Sequence, residues 1–325
     1  MKKNVFSIFV LLAAAFSLIL GSDLANGQEK IRLKYAGGTE GSGTYRSALA
    51  ISEVVNKYSK RLEIAVQVSP GSLETPRMLE AGMVQLAAGS SSGEIMATRG
   101  EGRYKDKPAK MVRRLLVWGV SIAPFFAPVE KNIKSTDDLV GKKIGLGPST
   151  TPAGQIAANA LELMGLKGKA KWFFNSSTNE LGERIKDGIY DCGLYGVSHP
   201  WSVLLDLTST KKLNFFGMKS EDLKKVVEFS KGRYFPVKMP ANVYPNQTKS
   251  FETYGSLQTT LVRADVPEDV VLEIFKILDD HFDEFKTAYP PAGISYHDFE
   301  TQAIKQAPFH PGTIQWMKKH GVTIQ

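Results

Sequence analysis

The sequence predicts an α/β protein built as two Rossmann-like lobes joined by a two-strand hinge. Two observations carry that expectation. Short apolar segments alternate with amphipathic helices, and the alternation begins again near the middle of the chain. Each strand-like segment also ends in a polar Gly/Ser/Thr turn leading into a helix, the order that crossovers of a parallel sheet require.

The first half contains three such units. Ile31–Ala36 reads as a strand, followed by Gly37-Gly38-Thr39-Glu40-Gly41-Ser42-Gly43-Thr44 and a helix with Ala48, Ile51, Val55 and Tyr58 on one face. Glu63–Val68 is the second strand, ending in Ser69-Pro70-Gly71-Ser72 before a helix through Leu79. Val84–Ala88 is the third, ending in Gly89-Ser90-Ser91-Ser92-Gly93. Val112–Ala127 is a long apolar segment interrupted by Pro124, and Ser135-Thr136-Asp137-Asp138 has a capping pattern. The second set follows. Lys142–Leu146 leads into Gly147-Pro148-Ser149-Thr150-Thr151-Pro152, then a helix with Ile156, Ala160 and Leu163 inward that stops at Gly165. Lys169–Phe174 ends in Asn175–Thr178, and Tyr190–Leu194 ends in Tyr195-Gly196-Val197-Ser198-His199-Pro200. Tyr254–Val262 is an extended return segment. Asp265 is placed to cap a long helix with Pro267 and Glu268 in its first turn and a stripe from Val271 to Phe285. Helices around Tyr296–Gln306 and Pro311–His320 close the chain.

Lys2 and Lys3, the apolar run Val5–Leu20 and the small-residue segment Gly21–Gly27 have the order of a secretory signal peptide, residues 1–27, with Gln28 beginning the mature chain. The apolar run is near the lower length limit for a spanning helix, so an uncleaved anchor is the competing reading. Export places the protein in a periplasm. Cys192 is the single cysteine, which excludes an intrachain disulfide and leaves stability to packed cores. With 41 basic and 33 acidic residues the formal charge is +8. The lysines are scattered without an aromatic-interleaved basic cluster or zinc pattern, so nucleic acid is not an expected partner.

Ligands of open parallel sheets sit beyond the carboxyl ends of the strands. Helix N-termini there offer unpaired N–H donors and partial positive charge, which suits a small anion. Each charge-assisted hydrogen bond contributes roughly 1.5–3 kcal/mol. Catalytic patterns fail against this background. The Walker-type spacing from Gly38 to Gly43 carries Thr44 where a lysine belongs, and Gly196-Val197-Ser198-His199-Pro200 has Pro200 where a nucleophile elbow needs glycine. The five histidines are dispersed without metal-ligand spacing. No enzyme, metal or cofactor is called for, and Cys192 reads as a buried hydrophobe.

Tyr35-Ala36-Gly37-Gly38-Thr39-Glu40-Gly41-Ser42-Gly43-Thr44-Tyr45, Gly71-Ser72-Leu73-Glu74 with Arg77-Met78-Leu79 and Ala81-Gly82, Ile133–Ile144, Leu261–Asp265 and Phe309-His310-Pro311-Gly312 together resemble one family. It is the TAXI group of TRAP transporter solute receptors, periplasmic binding proteins of the type II fold. The opening turn and the His310-Pro311-Gly312 ending are its most selective matches. The resemblance spans nearly the whole mature chain. It departs at Ser90-Ser91-Ser92, where the family commonly has Asn or Asp, and at Ser149–Ala153, where it is usually Gly/Ser-rich. The resemblance implies a glutamate-like or dicarboxylate solute and TRAP membrane permease subunits as partners.

The expected lobes are 28–122 with 257–325, and 123–256, hinged near Ser121–Phe125 and Ser256–Thr260. Expected ligand contacts are Thr39, Ser42, Gly43, Thr44 and Tyr45 from the opening turn, Ser72 and Ser90 from the next two, and Ser149, Thr150, Thr151 and Ser198 from the second lobe. Tyr45 is open between a ligand wall and a core aromatic, and Arg77 and Arg46 are weaker candidates. Three other readings stay open: a binding protein for an ABC importer, an exported ligand sensor, and a hydrolase using Ser198 and His199.

Overall fold

The computed structural model describes residues 30–38, 40, 42–149, 151–322 and 324. The leader expected at 1–27, and the candidate contacts Thr39 and Thr150, lie outside the described residues.

Two sheets organise the chain. The strands are β1 (Ile31–Gly38), β2 (Leu62–Val68), β3 (Leu86–Ser90), β4 (Val112–Ile122), β5 (Phe125–Pro128), β6 (Lys143–Leu146), β7 (Lys171–Phe174), β8 (Cys192–Leu194), β9 (Val197–Ser198), β10 (Leu213–Phe216), β11 (Phe235–Met239) and β12 (Phe251–Arg263). The larger sheet runs β2-β1-β3-β12-β4-β9, with β11 also paired to β12. The smaller runs β10-β5-β8-β6-β7. β1 is parallel to β2 and β3, and β6 is parallel to β7 and β8. Those pairs are the expected strand–turn–helix units. β12 lies antiparallel to both β3 and β4, returning the chain to the larger sheet.

The long apolar segment divides as Pro124 dictates. A proline cannot donate to a ladder, so β4 ends at Ile122 and β5 begins at Phe125 in the other sheet. β9 and β11 come from the middle of the chain yet pair with β4 and β12 of the larger sheet, which the sequence pattern did not indicate.

Helix Gly43–Tyr58 buries Ala48, Ile51 and Val55 fully against β1 and β2. Tyr58 leaves that face: it is exposed, stacks on His281 at 3.4 Å between centroids and donates to Glu284 at 2.7 Å. Helix Pro152–Leu163 buries Ile156 and Ala160, and Gly165 follows it at φ +73°. Ser135 and Asp138 form the expected capping box, on a short 3₁₀ turn. The long C-terminal helix differs from expectation at both ends. It begins at Glu268 with Pro267 in the cap position, because Asp265 is turned back to Arg263 at 3.0 Å. It stops at Asp280, so Phe282 and Phe285 belong to a second helix, Phe282–Ala288. Cys192 is fully buried, and burial pushes its thiol pKa up.

One ion pair sits inside this packing. Glu94, in the first turn of helix Ser91–Arg99, and Arg114 of β4 have no exposed side-chain surface. Arg114 Nε donates to Glu94 Oε2 at 2.9 Å, and its Nη2 reaches the same oxygen. Thr259 of β12 donates to Glu94 Oε1 at 2.5 Å, while Arg114 Nη1 reaches the Ile304 carbonyl. The pair joins the first-lobe helix, two central strands and the C-terminal segment. Removing one partner of such a pair leaves a buried charge uncompensated. Arg114→Met should therefore lower unfolding free energy by about 3–5 kcal/mol in a denaturant titration, with Glu94→Leu in the same chain recovering most of the loss.

Candidate functional site

The turns after β1, β3, β6 and β8 meet along one seam between the sheets. The first is built around Gly38 at φ +103°, where a β-carbon would fall 2.4 Å from Thr44 Oγ1. The Gly38 amide donates to Ser69 Oγ at 2.8 Å, tying this turn to the end of β2. Ser42 caps helix Gly43–Tyr58, accepting from the Tyr45 amide at 3.2 Å, and its hydroxyl lies 2.8 Å from Thr44 Oγ1. Tyr45 turns its ring against Gly37, where a β-carbon would sit 2.9 Å from Cδ2.

In the second and third turns, Ser72 donates to Ser90 Oγ at 3.1 Å. Ser90 caps helix Ser91–Arg99 through the Gly93 amide at 3.3 Å, and Ser91 accepts from the Leu257 amide at 2.7 Å. Past β6, Thr151 caps helix Pro152–Leu163, accepting from the Gly154 amide at 3.1 Å and donating to the Pro148 carbonyl at 2.8 Å. Ser149 is exposed, and its carbonyl accepts from Gln155 Nε2 at 2.6 Å. Ser198 lies on β9 opposite Ser121 of β4.

Three tyrosines connect these turns, and a fourth packs behind them. The Tyr289 hydroxyl meets Ser198, and a β-carbon on Gly43 would lie 3.4 Å from that same hydroxyl. The Tyr195 hydroxyl meets Thr151. Tyr234, just ahead of β11, meets Ser92 in the first turn of helix Ser91–Arg99 and lies near Tyr195. Tyr254 packs edge-on against Tyr234, with ring centroids 5.6 Å apart. Ser42, Gly43 and Thr44 are thus gathered with Ser198 through Tyr289. Ser72 and Ser90 adjoin the Ser92–Tyr234 contact, and Thr151 joins through Tyr195. Ser149 is exposed, Tyr45 packs its ring on Gly37, and Arg77 forms a surface ion pair with Glu74 at 3.3 Å.

Sequence reasoning passed over Ser92, Tyr195, Tyr234 and Tyr289. Ser92 and Tyr195 stand inside turns it had marked. Tyr234 and Tyr289 lie far along the chain, and only Gly232 beside one and Pro290-Pro291 beside the other signalled a turn.

Burial raises the pKa of Tyr195, Tyr234 and Tyr254 and carries Tyr289 to about 12, with Ser198 and then Arg46 pulling Tyr289 part of the way back. The seam therefore presents neutral phenols that donate at any physiological pH. Its three capped helix starts add partial positive charge. Among the described residues no three His, Cys, Asp or Glu side chains are grouped to hold a metal. His199 is buried with both ring nitrogens engaged, Nδ1 at 2.6 Å from Tyr244 Oη and Nε2 at 3.0 Å from the Ile122 carbonyl. It cannot take a proton from Ser198 in this arrangement.

A family model described as the NMT1-like family matches residues 35–321. Among solved structures, a TctC solute binding protein from Polaromonas is similar at 14% identity, with a TM-score of 0.50 over 82% of this chain and 89% of that one. The second substrate-binding domain of GlnP from Lactococcus lactis, in its open conformation, matches at 9% identity and a TM-score of 0.48 over 83% of this chain and 97% of that one. The fold is the two-lobe α/β fold of type II periplasmic binding proteins. No helix of the described residues is long and apolar enough to cross a membrane.

Burial lowers the His199 pKa from 6.5 to about 4. Between those values the unfolded chain binds a proton that the folded protein declines, so stability rises with pH across that window and falls on acidification. The expected loss between pH 6.5 and 4 is about 3 kcal/mol, with His310, also lowered by burial, acting in the same direction. Denaturant midpoints measured across this range should show the slope, and His199→Gln should reduce it.

Proposed function

The chain belongs to the NMT1-like family, and on that premise we propose that it is an extracytoplasmic solute-binding protein that captures a small anionic solute for a membrane transporter. The observation that carries this reading is the seam itself, where hydroxyls and helix N-termini from several turns converge through Tyr234–Ser92, Tyr195–Thr151 and Tyr289–Ser198.

In the seam Ser42 is paired with Thr44 and Ser72 with Ser90, hydroxyl to hydroxyl. An acid group entering it exchanges neutral contacts for charge-assisted ones, worth roughly 1.5–3 kcal/mol each. Contacts drawn from both lobes favour the closed arrangement, since only a ligand that binds one state better shifts the equilibrium. On this reading lobe one is 28–122 with 257–325, lobe two is 123–256 apart from β9 and β11, which join the larger sheet, and residues 1–27 are the export leader. Ser42, Gly43, Thr44, Ser72, Ser90, Thr151 and Ser198 form the polar lining, to which Ser92, Tyr195, Tyr234 and Tyr289 are now added. Tyr45 serves as packing behind the opening turn.

The finer assignment is a TAXI-type receptor for a TRAP permease, with an amino-acid or dicarboxylate solute. It rests on the opening turn and the His310-Pro311-Gly312 ending. Uptake into vesicles bearing TRAP permease subunits, but not into vesicles bearing an ABC importer, is the expected outcome.

Native mass spectrometry should find a small acid retained by the purified protein. Amino acids and dicarboxylates should include at least one that raises the melting temperature by several degrees. Tyr234→Phe and Ser92→Ala should each weaken that ligand about tenfold. Failure of every small acid to shift the transition would end the reading.

A further inference from the structure

A second surface lies at the opposite end of the smaller sheet. Parallel strands β6 and β7 carry the candidate turns at their carboxyl ends, whereas Lys143 and Lys171 begin them. The two lysines are register partners on adjacent strands, so like charges stand side by side. Lys169 and Lys142 are held beside them, because the Gly141 amide donates to the Lys169 carbonyl at 2.7 Å and the Lys171 amide to the Lys142 carbonyl at 3.0 Å. Lys167 completes the group and reaches Glu162 at 3.2 Å. Lys143, Lys169 and Lys171 are exposed and make no ion pair among the described residues. The nearby Asp191 is already occupied by Lys131 and the Lys143 amide.

Apolar side chains are exposed among these cations. Phe173, on the same face of β7 as Lys171, is 40% exposed, and Val140, two residues before Lys142, is 58% exposed. A shallow depression of about 320 Å³ is lined by Lys167, Gly168, Ala170, Lys171, Trp172 and Phe173. Lysines on an edge strand discourage pairing with another strand, and that role accounts for Lys171. It does not account for lysines on the neighbouring strand and the connecting turn, or for an aromatic left in water between them.

We propose that this corner docks on an anionic phospholipid surface, with the lysines at the headgroups and Phe173 and Val140 at the interface. Two features favour a bilayer over an acidic protein segment. All five cations are lysines, point charges without the fixed fork that arginine brings to a particular carboxylate. Lysine with aromatic and aliphatic side chains on an open surface is also the composition of interfacial binding. Docking here would hold the solute seam on the opposite side of the sheet, away from the lipid.

The test is sedimentation of the protein with phosphatidylglycerol vesicles and with phosphatidylcholine vesicles at low salt. Binding to the anionic vesicles alone, falling as salt is raised, is expected. Replacing Lys143, Lys169 and Lys171 together by Gln should weaken it about a hundredfold, near fivefold per lysine. The melting temperature should hold or rise, because a repulsion is removed. Replacing exposed Lys105, Lys107 and Lys110 by Gln removes the same charge elsewhere and should leave binding unchanged. Equal loss in both triple variants, equal binding to both lipids, or no binding to phosphatidylglycerol would each overturn the proposal. Binding of a polyglutamate peptide with no vesicle binding would overturn it in favour of an acidic protein partner.

Discussion

A carboxylate and a guanidinium without exposed surface set the geometry from which the rest follows. Removing both charges from water is costly, and the cost is offset only when their remaining donors and acceptors are filled. Here Thr259 and the Ile304 carbonyl complete the Glu94–Arg114 pair, so β12 and the C-terminal segment are held to the same point as helix Ser91–Arg99 and β4. The C-terminal segment is clamped again where the His310 amide donates to the Arg114 carbonyl at 3.0 Å. A displacement of any one of these elements would leave a charge unpaired in the core. The start of helix Ser91–Arg99, which carries Ser90 and Ser92 into the seam, is rigid for that reason.

The polarity of the seam comes from neutral groups. Its phenols are held neutral by burial, and its cap hydroxyls already serve backbone amides. Ser42, Ser90 and Thr151 thus work first as helix caps. What they bring to the seam is the helix starts they define and the tyrosines that lean on them. This explains how Gly/Ser/Thr turns recur in both lobes: one residue type both closes a helix and leaves the site uncharged.

Strand direction keeps two chemistries apart. Strands β6, β7 and β8 are parallel, so the turns at their carboxyl ends share one edge while their starts share the other. The hydroxyl seam and the lysine corner are therefore separated by the sheet itself, and charge at the corner does not enter the seam.

Much of the fold was legible in the sequence, because the periods of strand and helix and the turn residues act locally. The parallel units, the break at Pro124, the capping box at Ser135 and the left-handed Gly165 each follow from the residues within a turn or two. What crossed long distances was not legible. Asp265 had the local pattern of a cap, but Arg263 competed for it. Tyr58 had helical spacing for the core, but His281 and Glu284 drew it outward. By itself the sequence determined the two-lobed α/β plan and the polar turns at the strand ends. Only the tertiary structure decided that Tyr195, Tyr234 and Tyr289 close those turns into one seam, because a contact between residues far apart in the chain depends on how the sheets pack.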